Sequence, residues 1–170
     1  MSPRAAWQLE AIGFTKVYDY SEGKLDWIAR GLPVEGAGPH YGVAGEVADR
    51  DAVLACRVGD HVRDVAPKLA SEPHDYCVVL NEQGVVLGRM RTKDLRGRSH
   101  DDPVEVVMEP GPTTLRPKEP AAALLERMKK KNVPTVIVTT KTGRLVGAVT
   151  QNALTRLLSR TEPGVSQQFG

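Results

Sequence analysis

The stretch "TGRLVGAVTQNAL" at residues 142–154 repeats the pattern of "QGVVLGRMRTKDL" at residues 83–95. The offset is constant at 59 residues, since Gly84 matches Gly143 and Gly88 matches Gly147. An ungapped self-match at a fixed period indicates duplication of one supersecondary unit. Most of the chain is therefore predicted to be two copies of one small fold.

Each copy reads as strand, helix, strand, strand and helix. The first strands are "VLACRV" at residues 53–58 and "TTLRP" at residues 113–117, and the turns "NEQG" and "KTG" close hairpins. In the first copy Pro67 interrupts the apolar stripe of the helix and predicts a kink or an early end. A lone β-α-β-β-α unit leaves one sheet face bare, so we expect an α+β fold of two units packed as a pseudo-two-fold pair.

Composition limits the function classes. The chain has 170 residues, 41% hydrophobic and 26% charged, and a net charge of +2 that is too mild to indicate nucleic-acid binding. No apolar run approaches about 18 residues, and the start "MSPRAAWQLE" has no signal core, so we expect no membrane association and a cytoplasmic location. The apolar contexts of Cys56 and Cys77 predict buried, reduced thiols.

Residues from Val43 to Arg160 resemble a tandem pair of CBS domains, the Bateman module. The best match is "TTLRPKEPAAALLERMKKKNVPTVIVTTKTGRLVGAVTQNAL" in the second copy, which follows the family order throughout. The resemblance implies CBS repeats at residues 43–98 and 104–160, association of the pairs into disc-shaped homodimers, and a regulatory ligand in the cleft. That ligand would be AMP, ADP, ATP or S-adenosylmethionine, with no cofactor required.

The family's final signature is glycine, two apolar residues, Ser or Thr, two variable residues and Asp. A hydroxyl and a carboxylate at a helix start lie beside free N–H groups, where they suit phosphate and ribose hydroxyls. The same Ser/Thr-x-x-acid spacing is also a capping box that merely starts a helix. Both interpretations remain open at this stage.

Each copy keeps a different half of this signature. Arg91 stands at the hydroxyl position and Asp94 keeps the acid, whereas Thr150 keeps the hydroxyl and Ala153 replaces the acid. A guanidinium presents a planar fork to phosphate, which slightly favours the first site. Alternatively, the helix after Arg91 begins one residue later, capped by Thr92.

Further candidate ligand-binding residues lie in the linker, in "NVPT" at residues 132–135 and in the basic run at residues 89–98. The resemblance places Val133 and Pro134 against adenine and Thr114 near the cleft, although threonine is also ordinary at a strand start. Arg89 and Arg91 share one face of a strand by alternation, either as a polyphosphate clamp or as a solvated surface. The predicted ligand-binding residues are Arg89, Arg91, Asp94, Thr114, Val133, Pro134 and Thr150.

Residues 1–36 resemble the last part of a rhodanese-like domain through "AAWQL" and "ARGLPVEG". The sulfur-carrying cysteine of that family would precede Met1, so sulfur transfer is not expected. The pattern predicts a helix from Ser2–Pro3 to Gly13, a strand over residues 14–20 and a short helix over residues 24–30. Its aromatic residues are expected to pack against the repeats or a partner chain, in a docking or dimerisation role. Residues 161–170 read as a mobile tail.

No constellation for catalysis or metal binding is found. The sequence has no Walker loop and no GxGxxG, and its four histidines lack ligand spacing. We therefore expect a protein that is not an enzyme, a regulatory sensor of an adenosine ligand that acts on an unidentified protein partner. The alternative is an interaction scaffold whose ligand sites have decayed.

Overall fold

The computed structural model describes residues 3–18, 23, 27 and 42–161. Two 3-10 helices lie at Ala44–Val47 and Thr92–Leu95. The α-helices are α1 (Pro3–Ala11), α2 (Val62–Ser71), α3 (Val104–Val107), α4 (Ala121–Lys130) and α5 (Gln151–Thr161). The strands are β1 (Leu54–Arg57), β2 (Tyr76–Leu80), β3 (Val86–Arg91), β4 (Glu109–Pro110), β5 (Thr114–Leu115), β6 (Thr135–Thr139) and β7 (Leu145–Thr150). Within the described ranges, no helix has both the length and the apolar character that crossing a membrane requires.

The described strands form two sheets that share the topology of their first three strands. One has the order β1-β2-β3-β4 and the other the order β5-β6-β7, each with a parallel first pair and an antiparallel hairpin. The hairpins have matching register, since Tyr76 pairs with Arg91 as Thr135 pairs with Thr150. The predicted α+β fold of two equivalent units is confirmed.

Three apolar clusters hold the fold together. One lies between α4, α5 and the second sheet, and another lies between α2, α3 and the first sheet. The third, which we call the inner cluster, joins the two sheets and consists of Val53, Val78, Leu80, Ile137, Leu145 and Ala148. The sheet face that a lone unit would leave bare is therefore buried by the other unit, which removes it from water.

The segment before each repeat's first strand packs on the other unit. Ala44 is fully buried in the core of the second unit, and Gly45 donates its N–H to the carbonyl of Pro117 at 2.8 Å. In turn, Val104 and Val107 are buried in the core of the first unit, and β4 pairs with β3. The packed units thus differ from the sequence repeats, because each includes a segment that belongs to the other repeat.

The helices depart from expectation in the first repeat. The prediction that the helix ends early at Pro67 is wrong, because α2 continues to Ser71 and Leu69 is buried. Pro67 removes one backbone hydrogen bond of the helix, and the burial of Leu69 in the core offsets this loss. The closing helix is only the 3-10 turn Thr92–Leu95, and Gly97 follows with a φ of 76° that no longer fits a helix. Its counterpart α5 extends over 11 residues.

The N-terminal segment agrees with its prediction only in part. Helix α1 ends before Gly13, which has a φ of 102°. Of the strand predicted over residues 14–20, the described residues 14–18 are not in a strand. Trp7 and Tyr18 were expected to pack against the repeats or a partner chain. They are 67% and 79% exposed, so neither packs against the repeats. Apart from Trp27, the helix predicted over residues 24–30 lies outside the described residues, as does the tail after Thr161.

The two cysteines are buried and free, in agreement with the thiol prediction. Their Sγ atoms lie 3.7 Å apart on the neighbouring strands β1 and β2. The hydrogen bond with Cys77, together with burial, raises the pKa of Cys56, so this thiol stays protonated at neutral pH. Both side chains therefore serve as small apolar groups of the core.

Two repeat-related glycines give a stability prediction. A Cβ added at Gly147 would lie 2.5 Å from the carbonyl carbon of Asp49, whose backbone is fixed by two hydrogen bonds to Ala148. A Cβ at Gly88 would instead meet the flexible side chain of Met108 first, and the nearest backbone atom, the carbonyl oxygen of Glu109, lies farther away at 3.1 Å. We expect Gly147→Ala to lower the free energy of unfolding by about 1–3 kcal/mol and Gly88→Ala by clearly less. Urea denaturation of both variants measures this, and equal losses would contradict the close backbone approach.

Candidate ligand cavity between the two units

The inner faces of the two sheets change character along their length. Side chains alternate along a strand, so Val78 and Ile137 of the inner cluster share their faces with Tyr76 and Thr135. Tyr76 and Thr135 are the first residues of β2 and β6 and are repeat partners at the offset of 59. The apolar contact between the units therefore gives way to polar groups where these strands begin.

A cavity of about 310 Å³ lies at this polar end. Its volume is at the lower end of the range of about 300–1,000 Å³ that is usual for small-molecule sites. Both units, the linker and α4 contribute to its wall. The lining residues are Tyr76, Arg89, Thr113, Leu115, Leu124, Arg127, Met128, Lys131, Val133, Thr135, Val136 and Ile137.

Two polar atoms of the cavity wall are buried without a hydrogen-bond partner among the described residues. They are the hydroxyl oxygen of Tyr76 and the Nε of Arg89. Burial raises the pKa of Tyr76 to about 12, so the hydroxyl is protonated at neutral pH and can donate. An unsatisfied buried donor costs about 1–3 kcal/mol, and a bound acceptor removes this cost once the neighbouring side chains move to let it reach the donor.

The charged residues that line the cavity, as far as the structure describes it, are all basic. Arg89 Nη2 lies 2.7 Å from Glu109 Oε2, and Arg127 Nη2 lies 2.9 Å from Glu119 Oε1. The hydrogen bond and charge of Arg89 hold the pKa of Glu109 below its usual range. The wall as a whole is suited to a ligand that combines an apolar body with negative charge.

The two half-signatures serve as local caps. Asp94 Oδ2 accepts the backbone N–H of Arg91 at 2.9 Å, and Thr150 Oγ1 accepts the backbone N–H of Ala153 at 3.1 Å. These are the two reciprocal halves of a capping box, one in each repeat. Thr92 does not act as the cap, because its hydroxyl donates to the carbonyl of Asp75 at 3.3 Å and Arg91 holds the cap position.

Of the seven predicted ligand-binding residues, Arg89 and Val133 line the cavity. Arg91 lies further along β3, with its Nη2 3.8 Å from Glu109 Oε2. Thr114 accepts a hydrogen bond from Thr139 Oγ1 at 3.0 Å, and the carbonyl of Pro134 accepts the N–H of Gln151 at 3.2 Å. The structure therefore brings together members of both predicted sites, Arg89 from the first repeat and Val133 from the second.

Sequence reasoning missed Tyr76, Thr135, Arg127 in α4 and Lys131 directly after it. Tyr76 and Thr135 could have been found by applying the repeat offset together with strand alternation, which places them on the face of Arg89. Arg127 lies in the last turn of α4, and Lys131 is the residue that follows the helix. For Lys131, a position at the predicted helix end made balancing of the helix dipole a sufficient explanation.

A second cleft of about 650 Å³ lies at the hairpin turns. Glu46, Asp49, Arg50 and Arg144 contribute charges of both signs to its wall. Among the described residues it includes neither of the two unpaired buried atoms. The cavity at Tyr76 and Arg89 is therefore the stronger candidate.

Comparison with known proteins bears on this geometry. Residues 104–160 match the CBS domain family. No match was found among curated proteins. The cystathionine beta-synthase pair domain of SO5017 from Shewanella oneidensis MR-1 has a TM-score of 0.61 and 18% sequence identity, covering 72% of each chain.

Two similar structures contain ligands. The CBS domain pair of protein MJ0100, in complex with 5-methylthioadenosine and S-adenosyl-L-methionine, has a TM-score of 0.53 and 19% identity and covers 71% of this chain and 98% of its own. CBSX2 in complex with AMP has a TM-score of 0.58 and 15% identity, with coverage of 71% and 98%. At these identities the likeness concerns the fold. Residues 104–160 of this chain are therefore similar to the CBS domain family, and its two-unit fold is that of the solved CBS domain pairs.

Proposed function

We propose that this protein is a regulatory CBS pair that binds an adenosine-containing ligand in the cavity between its two units. The ligand class is AMP, ADP, ATP or S-adenosylmethionine. One observation carries the proposal, namely the two unpaired polar atoms of Tyr76 and Arg89 buried in the cavity wall. Support also comes from similar CBS pairs solved with AMP and with S-adenosyl-L-methionine.

The wall offers separate contacts for the parts of such a ligand. Leu115, Val133 and Ile137 provide an apolar surface for the flat face of adenine, and Tyr76 adds an aromatic ring. The hydroxyls of Thr113 and Tyr76 can pair with polar edges of the base or ribose. The basic side chains suit a phosphate.

Regulation follows from the position of the cavity between the units. A ligand here contacts Tyr76 and Arg89 of the first unit and Val133 of the second, so its affinity depends on how the units are packed. Such a ligand shifts the packing only by its difference in affinity for two arrangements. The recipient in this proposal is the N-terminal segment or a protein partner, and the protein itself carries out no catalysis.

The proposal includes a homodimer formed by the CBS pairs and a cytoplasmic location. Trp7 and Tyr18 of the N-terminal segment are exposed and offer large apolar area for a partner. A relation of this segment to rhodanese-like domains remains a prediction.

The competing function is an interaction scaffold with decayed ligand sites. The observation in its favour is that Asp94 and Thr150 cap their own helical turns, while Ala153 has no ribose-binding group. In that case the cavity is a packing defect between the units.

Ligand-dependent unfolding separates these two functions. With AMP, ADP, ATP or S-adenosylmethionine at about 100 times its dissociation constant, the free energy of unfolding should rise by about 2.7 kcal/mol, because the ligand binds only the folded state. Thermal and urea unfolding with each ligand measure this. An unchanged midpoint with all four would support the scaffold.

Tyr76→Phe tests the cavity directly. Among the described residues the hydroxyl has no hydrogen-bond partner, so its removal should leave the stability unchanged or higher. The affinity for the adenosine ligand should fall by about twofold to tenfold through loss of one hydrogen bond, as measured by calorimetry. Tyr18→Phe is the matched control, because Tyr18 is 79% exposed and lies outside the cavity lining. Equal affinities of wild type and Tyr76→Phe would place the ligand elsewhere.

The raised pKa of Tyr76 also predicts a pH dependence. Its ordinary value is 10.0 and the folded value is about 12, so the folded state holds the proton more tightly. The resulting stability is fully present below pH 10 and is lost as the pH rises towards 12. Urea midpoints across this window should fall less steeply in Tyr76→Phe than in wild type or Tyr18→Phe. Parallel profiles would show that the phenol is not desolvated.

A further inference from the structure

The guanidinium of Arg89 is only half satisfied. Its Nη2 lies 2.7 Å from Glu109 Oε2, while its Nε is buried and has no partner among the described residues. The Nε and Nη2 of an arginine form one edge with two parallel donors, which matches two oxygens of one anion. Glu109 therefore meets one donor of this edge with one oxygen.

A phosphate fits this edge better than Glu109 does. It presents several oxygens to the two donors and carries more negative charge than a carboxylate. Arg89 lines the cavity together with Arg127 and Lys131, so an anion bound there meets three basic side chains, two of which are paired with Glu109 and Glu119 in the unliganded protein. A phosphate on both Nε and Nη2 would satisfy the buried donor but requires the place that Glu109 holds.

Glu109 is well placed to be displaced. It lies on β4 directly opposite Arg89, and its side chain is 56% exposed. The pKa of its carboxyl lies below the usual range because of Arg89, so it is an anion at neutral pH. Because water reaches this carboxylate, its attraction to Arg89 is screened, and a ligand phosphate can exchange with it.

Strand β4 also connects this ion pair to the rest of the cavity. Glu109 and Pro110 form β4, and only Gly111 and Pro112 separate them from Thr113 in the cavity wall. The segment belongs to the second repeat by sequence but pairs with β3 of the first unit. Release of Glu109 would thus loosen a contact that ties the two repeats together.

We propose that the cavity takes a phosphorylated ligand and that Glu109 is an internal competitor, which occupies Arg89 until the ligand's phosphate displaces it. This inference rests on the proposed function and narrows its ligand class. It selects nucleotides over S-adenosylmethionine, whose sulfonium is cationic. It also identifies the step that a regulatory response would use, the detachment of Glu109 from the first unit.

The test compares AMP with adenosine by calorimetry in wild type and Glu109→Gln. Without the competing carboxylate, AMP should bind about threefold to tenfold more tightly, because the ion pair no longer has to be broken and charge repulsion is lost. Adenosine affinity should stay the same. Glu82→Gln is the matched control, because it removes the same charge at an exposed position in the turn of the β2–β3 hairpin. The gain should shrink at high salt.

A second pair of variants isolates Arg89. In Arg89→Gln the preference for AMP over adenosine should fall, and adding Glu109→Gln to it should produce no further change. Coupling of this kind distinguishes direct competition from a general charge effect. An equal gain in AMP affinity in Glu109→Gln with and without Arg89, or in Glu82→Gln, would overturn the inference.

The outcomes separate this inference from the proposed function. If AMP and adenosine bind wild type and Glu109→Gln with unchanged affinities, the cavity is a ligand site but Glu109 is not a competitor. If S-adenosylmethionine binds and AMP does not, the phosphate assignment is wrong while the proposed function stands. If none of the three ligands binds any variant, both are wrong.

Discussion

The apolar contact between the inner faces of the two sheets is the constraint on which the rest depends. Each sheet is covered by helices on its other side, so Val78, Leu80 and Ile137 must be buried by the opposite unit or be left in water. The cavity exists only because this contact stops short of the first residues of β2 and β6. Fold and site are thus two parts of one interface.

Duplication provides a symmetric backbone, and the side chains break that symmetry. At the repeat offset Arg89 corresponds to Ala148, and Tyr76 corresponds to Thr135. The larger residue of each pair lies in the first unit, and both line one cavity with residues of the second. On the two sheets, a charged and an aromatic side chain of the first unit therefore face smaller side chains of the second, while Arg127 and Lys131 add charge from the second unit's helix.

Sequence reasoning was most effective where periodicity determines structure. The fixed offset predicted two equivalent hairpins, and alternation predicted that Arg89 and Arg91 share a face. The site was harder to predict, because Asp94 and Thr150 have the same residue types whether they cap a turn or bind ribose. The role of Glu109 depends on a pairing of β4 with β3 across the repeat boundary, which no local pattern reports.

The segment before each repeat's first strand packs in the core of the other unit, and this has a consequence for a single repeat. Ala44 completes one core and Val104 completes the other, so a single repeat folded by itself would lack part of its own interior. An ancestral protein with one repeat would have needed a second molecule to donate the missing piece. With both repeats in one chain the exchange is intramolecular, so the completion of each core does not depend on protein concentration.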